Sequence, residues 1–249
     1  MIIIKNRDEI QRMRESGRIA ACVRDKLAGW VAPGVTTREL DREAAALIES
    51  FGAKSAFLGY HGYPGNVCIS IDSEVVHGIP GDRRIEIGQI VSLDVGVVFG
   101  GFVGDTATTV MVGVTDPEVI RLVRSTEMAL AAGVAVACPG KRLGDLSHAI
   151  EDVVIRAGFS VVRDFVGHGI GRKMHEDPQI PNYGTPGRGP KLKVGMTFAI
   201  EPMVNMGGSS VEVLADGWTV RTLDQKPSAH FEHTVAIGQD GPEILTDIT

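Results

Sequence analysis

Residues 33–52 read PGVTTRELDREAAALIESFG, and residues 139–158 read PGKRLGDLSHAIEDVVIRAG. The second stretch lies 106 positions after the first. Pro33 falls on Pro139, Gly34 on Gly140, Leu40 on Leu146 and Gly52 on Gly158. Pro-Gly breaks are common punctuation, so a single match would be coincidence. Four matches in one register, inside the same helix–break–helix–strand order, point to a duplication. The period is far too long for a solenoid. It implies an α/β (α+β) chain of two similar halves, roughly 6–112 and 115–249, sharing a central sheet within one domain, 1–249. A cleft between such halves is a natural ligand site.

Start and stop signals flank both stretches. Asn6 with Glu9 reads as an N-cap and its reciprocal partner. Ile10, Met13, Gly17, Ala20, Val23 and Leu27 then recur at helical spacing. Thr36 and Glu39 form a second capping box, and Gly52 closes that helix after Ser50. Thr115, Pro117 and Glu118 open a third helix, with proline at the favoured first position. Between them, Val67–Ile71, Ile90–Val98 and Phe102–Val112 are β-rich.

Composition excludes several classes. The chain has 249 residues, 43% of them hydrophobic and 22% charged, which suits a globular protein with a sizeable core. A net charge of −6 does not suggest a nucleic-acid binder. Cys22, Cys68 and Cys138 are too few and too scattered for a disulfide framework or a cysteine-rich zinc module. They fit a reducing cytoplasm. The opening Met1–Lys5 is too short for a signal-peptide core. No apolar run approaches the roughly 18 residues of a membrane span.

The informative residues are charges inside strand-like sequence. Asp94 sits in IVSLDVGVV, and Asp105 leads from GGFVG into TATTVMV. A buried carboxylate costs several kcal/mol unless something offsets it, and a divalent cation does so. Glu201 follows an apolar run and precedes Pro202. Glu232 lies in SAHFEHTVAI. His168 is flanked by glycines in VGHGIGRKMHEDP, and His77 stands before a Gly-Ile-Pro turn. Singly, each has an ordinary alternative as a turn, strand-end or surface residue. Together, Asp94, Asp105, His168, Glu201 and Glu232 make an oxygen-rich set. That set suits two divalent ions sharing bridging carboxylates better than a closed structural zinc site. Such a pair can hold a water as the nucleophile and polarise a carbonyl.

The ordered motifs GYHGYPGNVCIS, SEVVHGIPG, VSLDVG, GFVGDTATTV, GHGIGRKMHEDP, FAIEPMV, DGWTV and FEHT resemble those of the type I methionine aminopeptidases. The resemblance runs from the first helix to Thr249. It implies the pita-bread fold, with pseudo-twofold halves around a curved, largely antiparallel sheet. It also implies removal of the first methionine from nascent polypeptides, and two divalent metal ions (Co, Mn, Fe or Zn). By its motifs, Asp94 and Asp105 are ligands from adjacent strands, His168 and Glu201 complete the second metal, and Asp105 and Glu232 bridge both. His77 and His175 hydrogen-bond the scissile peptide and stabilise the tetrahedral intermediate. Glu201 handles the proton of the attacking water. Tyr60, Tyr63, Cys68 and Trp218, with Phe57 and His61 nearby, wall the methionine pocket, where sulfur–aromatic contacts favour a thioether.

Two positions depart from the pattern. Met174 replaces the usual Phe before His175, and His230 replaces the usual Gln two residues before Glu232. Residues i and i+2 of a strand share a face, which aims His230 toward the metal centre. Only 33 positions separate His168 from Glu201, leaving no room for the type II helical insertion. The catalytic repeat starts near residue 6, so no N-terminal zinc or ribosome-docking extension is expected. The implied substrates carry a small second residue. Ribosome association is compatible with where they emerge, though no surface motif carries it, and a monomer is the family default. No nucleic acid or membrane is expected as a partner. Two rival readings share the fold: an Xaa-Pro aminopeptidase or prolidase, and an inactive binding module.

Overall fold

The structure, a computed structural model, describes residues 1–248. The first half runs α1 (Arg7–Trp30), α2 (Thr37–Ser50), β1 (Lys54–Ser55), a tight turn at Tyr60–Gly62, β2 (Cys68–Ile71), β3 (Glu74–Val76), β4 (Ile90–Phe99) and β5 (Phe102–Met111). The second runs α3 (Pro117–Val136), α4 (Leu143–Arg156), β6 (Ser160–Val161), β7 (Gly167–Gly169), β8 (Glu176–Ile180), β9 (Thr197–Ile200) and β10 (Met203–Asn205). It ends with β11 (Val211–Val213), β12 (Val220–Thr222), β13 (Ser228–His230), β14 (Glu232–Ile237) and β15 (Pro242–Ile244). Among the described residues no helix is long and apolar enough to cross a membrane.

Both predicted capping boxes form. Asn6 Oδ1 accepts the Glu9 N–H at 3.0 Å, and Glu39 Oε2 accepts the Thr36 N–H at 2.7 Å. The third helix begins at Pro117, its expected first position, and Asp116 caps it, its side chain accepting the Glu118 N–H at 2.8 Å. Helices α2 and α4 correspond residue for residue at the offset of 106, from Thr37/Leu143 to Ser50/Arg156. Gly52 and Gly158 follow them with φ of 67° and 80°, the left-handed turn that glycine makes without steric cost.

The central sheet has the order β1-β4-β5-β14-β9-β7-β8, with β2 beside β4 and β15 beside β14. Its neighbouring strands are antiparallel, and the two halves meet where β5 pairs with β14. Ala107 lies opposite Glu232 there. The registers repeat. Asp105 pairs with Gly96 and Thr109 with Ser92, while His230 pairs with Met203 and Thr234 with Ala199. Residues 90–98 thus correspond to 197–205, and 103–111 to 228–236. Even the supporting hydrogen bonds repeat. Thr234 Oγ1 takes the N–H of Asp105 and donates to its carbonyl, and Thr109 Oγ1 does both for His230.

Each half has its own core. Ala20, Val23, Leu27, Leu40, Ala44 and Ile48 of α1 and α2 pack on Leu93, Val95 and Val97. Leu122, Leu130, Leu146 and Ile150 of α3 and α4 pack on Phe198, Ile200 and Val235. Strand side chains alternate in direction. Asp94, between Leu93 and Val95, therefore points away from the helices, into the cleft on the other face.

Candidate active site

The four acids and His168 converge in that cleft. Asp105, His168 and Glu232 each place a ligand atom within 4.8 Å of the others. His168 Nε2 lies 3.4 Å from Glu201 Oε1. Asp94 completes the group beside Asp105, and it stands opposite Cys68 in the sheet register. Asp105 and Glu232 are buried at the cavity floor, and Asp94 and Glu201 are half-buried along it.

Packing four carboxylates together without water is unfavourable. Burial first, then mutual repulsion, pushes Asp94, Glu201 and Glu232 well above the carboxylate range. Burial holds Asp105 up to about 7. No arginine or lysine pairs with these four acids through a salt bridge among the described residues. Asp94 Oδ1, Asp105 Oδ1 and Glu232 Oε1 are buried without a hydrogen-bond partner. Orphaned buried oxygens facing one another call for a cation.

His168 is held neutral, with one ring nitrogen open toward the acids. Its Nδ1 meets the Gly169 carbonyl at 2.9 Å, which places the ring proton there and leaves Nε2 with a free lone pair. Burial lowers its pKa to about 3. The donor set, four carboxylates and one imidazole, fits divalent cations of the Mn, Fe, Co and Zn type.

A cavity of about 450 Å³ opens on this cluster. Tyr60, Tyr63, Cys68, Trp218, Phe57 and His61, the expected pocket residues, all line it, as do His77 and His175. Tyr63 donates its hydroxyl to the Gly78 carbonyl at 2.8 Å, so its ring serves as a wall. It meets Trp218 edge-on, with ring centroids 5.1 Å apart. Burial pushes the Cys68 thiol up, which keeps it neutral. His77 is held at φ 61°, and burial lowers its pKa to about 4. The His175 ring lies 4.2 Å from that of His168, and its Nδ1 is 2.7 Å from the Tyr60 hydroxyl. His230 is buried, with Nε2 unpartnered and 3.9 Å from Glu201 Oε2.

Phe165, Val166, Met203 and Val76 also line the cavity and were not anticipated. Phe165 and Val166 directly precede the Gly-His-Gly motif, and Met203 follows Glu201-Pro202. Adjacency to a site motif was their only signal.

Residues 11–239 match the profile of metallopeptidase family M24. The methionine aminopeptidase of Clostridium perfringens is 52% identical over 246 residues, covering 99% of each chain. The chain belongs to metallopeptidase family M24. A metallopeptidase of this family uses divalent metal, in keeping with the acid cluster. Methionine aminopeptidase from Thermotoga maritima superposes with a TM-score of 0.98 at 46% identity, covering 99% of this chain and all of that one. The prolidase of Pyrococcus furiosus shares the pita-bread fold at a TM-score of 0.80 and 24% identity, with 66% of its own chain covered.

Proposed function

We propose that this M24 chain, as one catalytic domain over 1–249, is a methionine aminopeptidase that removes the first methionine of new polypeptides. The observation that carries the reading is the meeting of Asp94, Asp105, His168, Glu201 and Glu232 at the floor of a cavity walled by aromatic rings. Asp94, Asp105, His168, Glu201 and Glu232 would hold two divalent ions there. Bound, they supply a nucleophilic water and polarise the scissile carbonyl.

The chain's own groups supply the rest. Glu201, with its proton affinity raised by burial and by its acidic neighbours, takes the proton of the attacking water and passes it to the leaving amine. With the Tyr60 hydroxyl, 2.7 Å from His175 Nδ1, as the donor of that contact, the ring proton sits on Nε2 as a donor toward the substrate. His77, also kept neutral by burial, is the second donor. Both stabilise the oxyanion that develops on the carbonyl. The thioether side chain lies against Tyr60, Tyr63, Phe57 and Trp218, and Cys68 closes the wall.

Substrates would be nascent chains with a small second residue, met near the ribosome. The three cysteines are all free, which supports a reducing cytoplasm. The enzyme would act as a monomer. The test is release of methionine from Met-Ala-Ser by EDTA-treated protein supplied with Mn²⁺, Co²⁺, Fe²⁺ or Zn²⁺. Metal-dependent release supports the reading. Preference for Ala-Pro or Gly-Pro would replace it with the prolidase alternative.

A further inference from the structure

Outside the acid cluster, a further ion pair is buried beside the site. Lys5 Nζ lies 2.6 Å from Glu176 Oε2, and their side chains are only 3% and 4% exposed. The partners are 171 positions apart in sequence. A buried pair of this kind gains little net stability, because desolvation offsets its attraction. It does specify one arrangement of the segments it joins.

We propose that Lys5 is a positioning residue for His175. Glu176, next in sequence to His175, uses its other oxygen, Oε1, to accept the N–H groups of Arg172 at 3.0 Å and Lys173 at 3.3 Å. One carboxylate therefore winds residues 172–176 into a turn, and Lys5 ties that carboxylate to the N-terminal segment. Lys5 is itself anchored, since its N–H donates to the Gly195 carbonyl at 2.8 Å. The fit is tight. A Cβ on Gly171 would stand 2.6 Å from Lys5 Cε and 2.7 Å from Glu176 Oε1. An exposed ion pair between the Met1 ammonium and Asp177 lies just beyond, too open to water to add much. The turn carries Met174 and His175 into the cavity. The inference deepens the functional reading and rests on the role given there to His175.

The decisive experiment compares nitrogen-15 histidine spectra of the full-length, Zn²⁺-loaded protein and its Lys5→Met and Lys5→Arg variants. The His175 ring signals shift or broaden in Lys5→Met while those of His77 and His230 stay in place, and Lys5→Arg restores the wild-type positions. With Met-Ala-Ser, Lys5→Met lowers kcat about tenfold to a hundredfold, with KM and metal stoichiometry unchanged. The effect vanishes in a His175→Ala background, as it must if Lys5 acts through that ring. Unmoved His175 signals in Lys5→Met, or an equal kcat loss in the His175→Ala background, overturn the proposal. Should Lys5→Met fail to fold, Glu176→Gln is read by the same criteria, since its amide oxygen still accepts the turn's N–H groups. The spectra are recorded without substrate, so they judge the positioning role even if the enzyme proves inert toward Met-Ala-Ser and the functional reading falls.

Discussion

Asp94 and Glu201 occupy the same position of the two halves. Each lies three residues before the point where its strand pairs with the short strand after the second helix, Val97 with Ser55 and Val204 with Val161. The other two acids of the cluster break that symmetry. The counterpart of Asp105 is His230, and that of Glu232 is Ala107. His77 follows Ser70 by seven residues as His175 follows His168, and Ser70 and His168 hold matching registers. Duplication accounts for strands that face one another across a cleft. Divergence then produced a site with distinguishable ends, which a directional peptide requires.

The acid cluster favours metal binding at the expense of the metal-free fold. Replacing Asp105 by asparagine removes a charge whose burial opposes folding. Metal-free Asp105→Asn at pH 8 should be more stable than metal-free wild type by roughly 1–4 kcal/mol, given about 1.4 kcal/mol per pKa unit. Its methionine release should fall to background. Calorimetry of EDTA-treated protein checks this, and a lower melting temperature for the variant would contradict it.

The same groups set the pH dependence of the metal-free protein. The raised acids make the folded state hold more protons than the unfolded chain, so their contribution falls as pH rises, through about 7 for Asp105. The histidines act oppositely. His77 and His233 are lowered to about 4, and His168 and His230 to about 3, so stability from them rises with pH up to the unfolded value of 6.5. The two trends offset one another below 6.5, and above it only the acids act. The melting temperature of the metal-free protein should therefore fall between pH 6.5 and roughly 8.5, and that of the metal-loaded protein should hold. A metal-free melting temperature that climbs over this range would be the contrary result.

His77→Ala and His175→Ala should separate catalysis from metal binding. Neither ring belongs to the tight ligand cluster. Each variant should lower kcat by about 10²–10³-fold, the usual effect of losing an oxyanion donor. Calorimetric Mn²⁺ titration should match wild type. Loss of the metal in either variant would move that histidine into the ligand set.

The helix pairs and the duplication were legible because capping chemistry and Pro-Gly breaks are local. The offset of 106 held across α2 and α4 to the residue. The strand correspondence was not legible, since Asp94/Glu201 and Asp105/His230 follow different offsets, set by loops of unequal length. The acids announced themselves by standing in apolar runs. Their convergence did not, because it depends on which edges pair. Phe165 and Met203 carried no signal beyond standing next to site motifs, since nothing in an apolar residue type says whether it faces a core or a cavity. Lys5 carries no signal either, since its partner lies 171 positions away.

Two glycines of the central hairpin make opposite predictions from the same added methyl group. Gly104 lies where β5 touches α1 backbone to backbone, and a Cβ there would stand 2.5 Å from the Gly17 nitrogen. Neither main chain can yield, so Gly104→Ala should lose about 3 kcal/mol in urea unfolding. Gly96 pairs with Asp105 on the cleft side, and its Cβ would stand 2.6 Å from Phe57 Cε1 and 2.9 Å from Met174 Cε. Those are ends of side chains that line the cavity and can swing. Gly96→Ala should therefore fold with near wild-type stability but narrow the pocket. Its KM for Met-Ala-Ser should rise about tenfold, the effect of losing one to two kcal/mol of side-chain binding, with a smaller change in kcat. If KM stays put while stability drops, the methionine side chain does not lie against Phe57 and Met174.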